Sequence, residues 1–310
     1  MSELDDAPAG AIGPPRTRLA VVLLVLVTAA WGSTFLLVKD VIGEMPAMRF
    51  LALRFVLAAL ALVVLRPRAL FALPLPLLGR GMLLGGFLAG GYVFQTLGLE
   101  HTSAAVSGFV TGLAVVFTPL LAWPLLGHRC APSTLVAVAV ATSGLAVLSL
   151  RGAQLGVGEL LTVLGALCYA LQIVGLGAWA RAGELYRLTV LQLLTVAVIC
   201  TAAALPGGLA LPSGALSWFG VVATALLATA IAFVVQSWAQ SFISPTRAAI
   251  IFTLEPAFAG LVAYLGGETF GWPVLVGGVL VVTAMFLAEL GPEVEALPGG
   301  DARERPAECR

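Results

Sequence analysis

Ten apolar runs follow one another along this chain, and their lengths constrain the fold more than any other feature of the sequence. They occupy residues 19–38, 47–65, 77–98, 103–126, 132–149, 158–179, 188–205, 216–238, 245–266 and 271–289. About 20 apolar residues in a helix cross the ~30 Å hydrocarbon core of a bilayer, whereas the strands of a membrane barrel alternate over about ten residues. The sequence therefore predicts an all-α integral membrane protein with ten transmembrane helices.

Composition agrees with this fold class and disfavours several functions. Apolar side chains make up 60% of the 310 residues and charged side chains 10%, against about 25% charged in soluble domains. The apolar composition makes the lipid bilayer the expected environment. The 16 basic and 16 acidic residues cancel, so net charge gives no information about partners, and no nucleic-acid partner is indicated. The four cysteines show no CxxC spacing, which disfavours structural disulfides, and two histidines are too few for a histidine-rich metal site.

The distribution of basic residues orients the predicted helices. With residues 1–18 inside, twelve arginines fall on the inner side, and Lys39, Arg151 and, depending on where the second helix begins, Arg49 fall on the outer side. Cytoplasmic loops carry the excess of Lys and Arg in membrane proteins. We therefore expect a multi-pass protein of the cell membrane with two disordered cytoplasmic tails, residues 1–18 and 290–310.

An internal repeat divides the membrane region into residues 19–150 and 155–289, with five predicted helices in each half. The two halves match at an offset of 141 residues, or of 138 in the first two helices of each half. Matching pairs include Gln95 with Gln236, Tyr92 with Phe233, Trp31 with Tyr169, and Arg54 with Gln192. An odd number of helices per half inverts the second half relative to the first. Inverted repeats are typical of secondary transporters, whose binding site lies near the midplane between the halves.

Glu255 is an ionisable residue near the middle of the ninth run, which follows Ser244 and ends at Gly266. An acid at that depth costs roughly 2.5 to 3.5 kcal/mol on insertion scales and usually faces a bundle interior or an aqueous path. Pro256 beside it cannot donate to the carbonyl of Phe252, which interrupts the helical hydrogen bonds at the same depth. Two interpretations stay open: a proton- or solute-binding group, or a brace for the helix kink.

Other polar and aromatic side chains at membrane depth are candidates for a solute pathway. The matching amides can donate to and accept from a polar solute, and the matching aromatic residues can form the walls of a pocket. Amides also join helices in lipid, and aromatic residues also pack in helix interfaces, so structural roles stay open. The predicted pathway comprises Trp31, Tyr92, Gln95, Tyr169, Gln172, Gln236 and Glu255.

Arg54 lies about two turns into the second predicted helix and needs a partner at that depth. Glu100, at the outer end of the third helix, is one candidate, and Lys39 lies at the matching end of the first helix. A structural ion pair is the leading expectation for Arg54. Attraction of an anionic solute is the alternative.

Several short motifs, taken together, resemble the EamA-type transporters of the drug/metabolite transporter superfamily. They are Trp31-Gly32-Ser33-Thr34-Phe35 followed by Lys39, Leu53-Arg54-Phe55, Thr102-Ser103-Ala104-Ala105 and Leu254-Glu255-Pro256. Their order, spacing and duplication carry the resemblance, which covers about residues 19–289. It implies a ten-helix carrier, often an exporter of amino acids, other metabolites or drugs, and it does not name the substrate.

These observations predict a secondary transporter that moves a small organic solute across the cytoplasmic membrane by alternating access, as an exporter. No GxxxxGK[ST] or GxGxxG motif occurs, so no nucleotide or other cofactor is expected. An intramembrane enzyme would need converging catalytic groups at depth; no catalytic residue or metal ligand is assigned, and this class is disfavoured. A non-transporting membrane scaffold or chaperone stays the alternative, and a homodimer is left open.

Overall fold

The computed structural model describes residues 15–126, 132–148, 156–179, 183–208, 211–243, 248, 251–252 and 254–289. The regular structure in these residues is helical, as predicted. The helices are α1 (Pro15–Glu44), α2 (Ala47–Leu65), α3 (Leu75–Leu99), α4 (Ala104–Thr111), α5 (Leu113–Leu126), α6 (Pro132–Leu148), α7 (Val157–Trp179), α8 (Leu185–Ala204), α9 (Ala215–Ala225), α10 (Ala232–Ala239), α11 (Glu255–Leu265) and α12 (Trp272–Glu289). A π-helical segment, Leu226–Ile231, joins α9 to α10.

Seven helical stretches in the described residues are long and apolar enough to cross a membrane. They are Arg16–Glu44, Ala47–Leu65, Leu75–Leu99, Ala104–Leu126, Val157–Trp179, Leu185–Gly207 and Ala215–Ala239. The other three apolar runs fall on α6, α11 and α12, and the count of ten spans stays a prediction. Residues 1–14 and 290–310 of the predicted tails lie outside the described residues. Positions 15–18 of the first tail belong to α1. Most of the first half of the ninth run also lies outside the described residues.

Two stretches of helix are interrupted at matching positions of the repeat. The helix that begins after Ser103, whose hydroxyl caps it by accepting from the Val106 amide, breaks at Gly112, between α4 and α5. In the second half, α11 begins at Glu255, with Pro256 in its first turn. Proline suits a first turn because its missing N–H has no helical partner there. The starts of α5, at Leu113, and of α11, at Glu255, therefore lie within one residue of each other in the repeat.

The helix packing follows the repeat. Helices at equivalent positions contact each other, α2 with α8 and α6 with α12, and α4 also packs on α11. Other contacts occur in equivalent pairs across the two halves. Helix α3 of the first half packs on α7 and α8, and the stretch from α9 to α10 of the second half packs on α1 and α2. Likewise, α5 packs on α7, and α11 packs on α1. The core of the protein is thus an interface between two similar halves.

Hydrogen bonds at the two ends of α2 give its direction relative to α8. Tyr186, near the start of α8, donates to the Leu62 carbonyl near the end of α2 at 2.6 Å. Arg49, near the start of α2, donates to the Gly207 carbonyl just beyond the end of α8. These equivalent helices therefore run antiparallel.

Candidate functional site

One cavity lies between the two halves and is lined by side chains from both. Its wall contains all seven residues of the predicted pathway, Trp31, Tyr92, Gln95, Tyr169, Gln172, Gln236 and Glu255, together with Arg54. It also contains residues that sequence reasoning did not select as site residues: Thr34, Phe35, Val38, Leu88, Thr96, Leu99, Thr111, Gly112, Ala114, Val115, Ile173, Phe233 and Phe252. Of these, Thr111 and Phe252 occupy matching repeat positions beside the helix breaks. Their matching positions in the repeat, next to the helix breaks, are the feature by which these two residues could have been selected from the sequence.

Aromatic rings form two equivalent pairs in the cavity wall. The rings of Trp31 and Phe233 lie 5.6 Å apart, and those of Tyr169 and Tyr92, at the matching positions, lie 5.4 Å apart with an interplanar angle of 88°. Tyr92 and Phe233, which match each other, are in turn 6.2 Å apart. Edge-to-face pairs at these separations stabilise packing beyond the burial of their area. The aromatic part of the wall therefore keeps the two-fold relationship of the repeat.

The side-chain amide of Gln95 makes two hydrogen bonds to other side chains of the cavity wall. Its nitrogen donates to the Thr111 hydroxyl at 3.0 Å, and its oxygen accepts from the Tyr169 hydroxyl at 3.0 Å. These bonds join α3 to the end of α4 and to α7. The side chain of Gln95 is therefore both a cavity wall and a link between three helices.

The matching amide of Gln236 has a different environment. Gln236 is buried, and its side-chain oxygen has no hydrogen-bond partner among the described residues. Trp31, which matches the tyrosine that bonds Gln95, donates its indole N–H to the Ala228 carbonyl at 2.8 Å instead. A buried polar atom without a partner is costly unless water or a ligand satisfies it. Of the two matching amides, Gln236 thus has capacity left for a ligand.

Gln172 lines the cavity and also joins two helices of the second half. Its amide nitrogen donates to the side-chain oxygen of Gln192 at 2.9 Å, which links α7 to α8. The amide nitrogen of Gln192 donates to the Leu188 carbonyl at 3.3 Å. Gln172 therefore joins two helices, which is one of the roles left open for these amides, and it also lines the cavity.

Arg54 projects from α2 into the interface between the halves and is 3% exposed. Its Nε donates to the Thr229 hydroxyl at 2.8 Å, and its Nη2 donates at 3.4 Å to the Tyr92 hydroxyl and to the Ala228 carbonyl. The guanidinium carbon lies 4.7 Å from the centre of the Tyr92 ring. Cation–π contacts of this kind stabilise a positive charge without neutralising it.

The structure separates the charged residues that were expected to pair. Glu100 is exposed at the end of α3, eight residues beyond Tyr92, and that spacing corresponds to about 12 Å along a helix. Because Arg54 lies at the level of Tyr92, its guanidinium does not reach Glu100. Lys39 instead donates to the Thr102 carbonyl at 2.7 Å. Within the described residues the expected ion pair is therefore not formed, and the partners of Arg54 there are neutral oxygens.

Thr229 and Ala228, which hold Arg54, belong to the π-helical segment between α9 and α10. The Thr229 hydroxyl also donates to the Thr224 carbonyl five residues earlier, at 2.9 Å. The Ala228 carbonyl accepts from both Trp31 and Arg54. Single π turns occur frequently at functional sites. Nothing in the local residue pattern signalled this segment.

Glu255 lies in the first turn of α11 and lines the cavity. Its side chain makes no hydrogen bond or ion pair in the described part of the chain. A carboxylate at the start of a helix is favoured by the unpaired N–H groups and the helix dipole. Within the described lining, Glu255 is the only carboxyl group, and neither histidine nor cysteine accompanies it. These lining residues can contact a polar solute, but they do not supply a set of metal ligands.

Close packing fixes the position of Glu255 against α1. A Cβ atom on Gly32 would lie 2.6 Å from the Glu255 carbonyl oxygen and 2.6 Å from the Phe258 Cβ atom. Only glycine fits at such a separation. The contact places the break before α11 directly against the middle of α1, next to Trp31 and about one turn from Phe35 in the cavity wall.

Comparison with known proteins agrees with this architecture. The chain is 28% identical over 273 residues to a protein of Archaeoglobus fulgidus named "Uncharacterized transporter", covering 86% of this chain and 84% of the relative. A second A. fulgidus protein of the same name is 26% identical over 191 residues, covering 61% of this chain and 68% of the relative. A crystal structure of another protein superposes with a TM-score of 0.67 at 19% identity, covering 91% of this chain and 98% of that one. This last match shows a shared fold.

The two halves of the chain each match the same family model. The matches cover residues 18–150 and 156–290, and the family is described as the EamA-like transporter family. Together they include every helix that lines the cavity. The resemblance inferred from the motifs is thereby confirmed, and the chain belongs to the EamA-like transporter family.

Proposed function

We propose that this protein is a secondary transporter that carries a small organic solute across the cell membrane, outward, by alternating access. The observation that carries the proposal is the cavity between the two halves, whose wall combines matched aromatic residues and amides with Arg54 and Glu255. Binding sites of secondary transporters lie between repeats, next to interrupted helices. The breaks at Gly112 and before α11 border this cavity.

The antiparallel packing of α2 against α8 supports an inverted arrangement of two five-helix repeats. Equivalent helices of parallel repeats would instead run in the same direction. The packing of α3 on α7, repeated by that of α9 and α10 on α1, agrees with the same symmetry. In such carriers, exchanging the conformations of the two halves opens the site to the other side of the membrane.

Contacts at one end of the bundle are suited to closing the cavity on that side. Lys39 donates to the Thr102 carbonyl, and the Thr102 hydroxyl donates to Glu159 at 2.9 Å. Glu268 accepts from the amides of Ala104 and Ala105 at 3.0 and 3.4 Å, at the start of α4. The positive-inside rule assigns this end to the outside. An exporter would break these contacts to release its solute.

Transport by the purified protein in lipid vesicles tests the proposal. A panel of radiolabelled amino acids, organic acids, amines and drugs would be loaded inside or outside vesicles of known protein orientation. We expect flux that is specific to certain solutes and that saturates with concentration. Excess unlabelled solute on the opposite side of the membrane should accelerate this flux. Absence of flux for the whole panel, with correctly inserted protein, would favour a non-transporting membrane scaffold. Faster flux toward the cytoplasmic face would contradict export.

A further inference from the structure

Arg54 is a buried cation whose hydrogen-bond partners are all neutral. It is held by the Thr229 hydroxyl, the Tyr92 hydroxyl and the Ala228 carbonyl. No carboxylate of the described residues forms an ion pair with it, and Glu255, which lines the same cavity, is not bonded to it. An arginine side chain keeps its charge in proteins. The interface between the halves thus contains a positive charge that makes no ion pair with any described side chain.

An unneutralised charge at this depth calls for an explanation. Removing a cation from water costs several kcal/mol even after the protein relaxes around it. Charged side chains within membrane segments generally pair with one another or mark the path of a substrate or ion. The aromatic faces of Phe50, Phe55 and Tyr92, at 4.7 to 5.9 Å from the guanidinium carbon, offset part of this cost. They leave the net charge in place.

The hydrogen bonds leave one edge of the guanidinium group available. The short bond, at 2.8 Å, is made by Nε to Thr229, whereas both bonds of Nη2 are long, at 3.4 Å. None of the described residues accepts a hydrogen bond from Nη1, and Arg54 lines the cavity. A carboxylate binds arginine through two parallel N–H···O bonds to such an edge. The fixed Nε and the loosely held Nη atoms therefore suit an incoming carboxylate.

The matching position of the second half shows that the shared packing of the repeat does not require this charge. Gln192 corresponds to Arg54, and its side-chain oxygen accepts a hydrogen bond from Gln172. A neutral side chain therefore suffices at that position in the second half. The positive charge distinguishes the two sides of an otherwise two-fold cavity.

We propose that Arg54 binds a carboxylate group of the transported solute, and this inference rests on the proposed function. The solute would be an organic anion or a zwitterion whose carboxylate approaches the Nη edge. Its apolar part would lie against Tyr92, whose ring is beside Arg54, and against Tyr169, which packs on Tyr92 in the wall. Arg54 is thereby a specificity-determining residue, with Thr229 positioning its guanidinium group.

Binding measurements with matched pairs of small molecules test this inference. Isothermal titration calorimetry on the full chain in nanodiscs would compare phenylacetate with phenylacetamide, and indoleacetate with indoleacetamide. Each pair differs in the anionic group and preserves the ring. The wild-type protein is expected to bind the carboxylates more tightly than the amides. Arg54→Gln is expected to weaken carboxylate binding by about tenfold to a hundredfold, the range for a charged hydrogen bond, while amide binding changes little.

Two further variants separate recognition from folding. Arg54→Lys keeps the charge but loses the planar fork, so it should retain part of the carboxylate preference. Arg66→Gln removes an exposed arginine just beyond the end of the same helix and should leave the preference unchanged. Melting curves of all variants would accompany the titrations and show which variants are folded. If Arg54→Gln does not fold, the comparison of Arg54→Lys with the wild type tests the inference instead.

Two outcomes would overturn the assignment of Arg54. One is a wild-type protein that binds no carboxylate of these pairs more tightly than its amide. The other is an Arg54→Gln variant that is folded and loses carboxylate and amide binding equally. Either outcome leaves the proposed function standing if vesicles still transport neutral or cationic solutes. Absence of transport for every solute would count against the proposed function itself.

Discussion

Tyr169 donates a hydrogen bond of 3.0 Å to the side-chain oxygen of Gln95, and the described residues of the other half hold no counterpart of this bond. The positions that match this pair are occupied by Trp31 and Gln236. The Trp31 indole donates to a backbone carbonyl, and the oxygen of Gln236 has no partner in the part of the chain that the structure describes. The repeat therefore supplies two amides, of which one is committed to the protein and the other is available to a ligand.

This difference predicts separable effects of removing the two amides. Gln236→Leu should impair transport with little loss of stability, because the amide oxygen that it removes bonds none of the described residues. Gln95→Leu should lower stability by about 1 kcal/mol, since hydrogen bonds between membrane helices contribute about 0.6 kcal/mol each on average and Thr111 and Tyr169 both lose a partner. Melting curves and vesicle flux of both variants test this.

Tyr169→Phe provides the matched control for the amide variants. It removes the hydroxyl that bonds Gln95 and keeps the ring beside Tyr92. We expect its loss of stability to overlap with that of Gln95→Leu, so the double variant should be less destabilised than the sum of the two single changes. Wild-type transport by Gln236→Leu, or a larger loss of stability there than in Gln95→Leu, would contradict the assignment.

Glu255→Gln tests whether the cavity carboxyl couples transport to protons. The change preserves size and most hydrogen-bonding capacity while it removes ionisation. If Glu255 takes up and releases a proton in each cycle, the variant should lose accumulation driven by a pH gradient but retain solute exchange between the two sides of a vesicle membrane. Flux measured with and without an imposed pH gradient distinguishes pH-driven accumulation from solute exchange.

The control for this variant is Glu100→Gln, which removes an exposed acid outside the cavity wall. It should keep pH-driven accumulation. If Glu255→Gln also keeps the pH dependence of the wild type, Glu255 serves the helix break before α11 and not proton coupling.

Gly32→Ala should destabilise the contact between α1 and α11. The added Cβ atom would lie 2.6 Å from the Glu255 carbonyl oxygen, and overpacking of this kind typically costs about 1 to 3 kcal/mol. Gly86→Ala is the control, because a Cβ atom there meets nothing within 4 Å. A lower melting temperature is therefore expected for Gly32→Ala alone. Equal melting temperatures would show that the two helices can separate at this point without cost.

Cysteine labelling tests the predicted orientation of the chain. In a background without the other cysteines, Cys309 and a Ser2→Cys variant should react with a membrane-impermeant maleimide only after cells are opened, because both tails are predicted to be cytoplasmic. Ser213→Cys, at an exposed site between α8 and α9, should react in intact cells. Labelling of either tail in intact cells would reverse the orientation or change the number of spans.

The sequence by itself predicted the all-α membrane fold and selected side chains that lie together in one cavity. Apolar runs of about 20 residues specify membrane helices, because a helix pairs all its backbone groups within the run, whereas barrel strands are shorter and alternate. Polar side chains such as Gln95, Gln236 and Glu255 are unfavourable there unless they face the protein interior. Their depth, combined with the repeat, was therefore enough to group them. Their roles in transport remain the subject of the experiments above.

Only the tertiary structure decided which groups contact each other. The depth of Arg54 in its helix suggested an ion pair with Glu100, but the rotation of α2 directs the guanidinium group to Tyr92 and to the π-helical segment. Sequence spacing gives the height of a side chain in the bilayer and says little about the neighbour it faces across a helix interface. The same limit hid the difference between Gln95 and Gln236, because matching positions of a repeat need not keep matching partners.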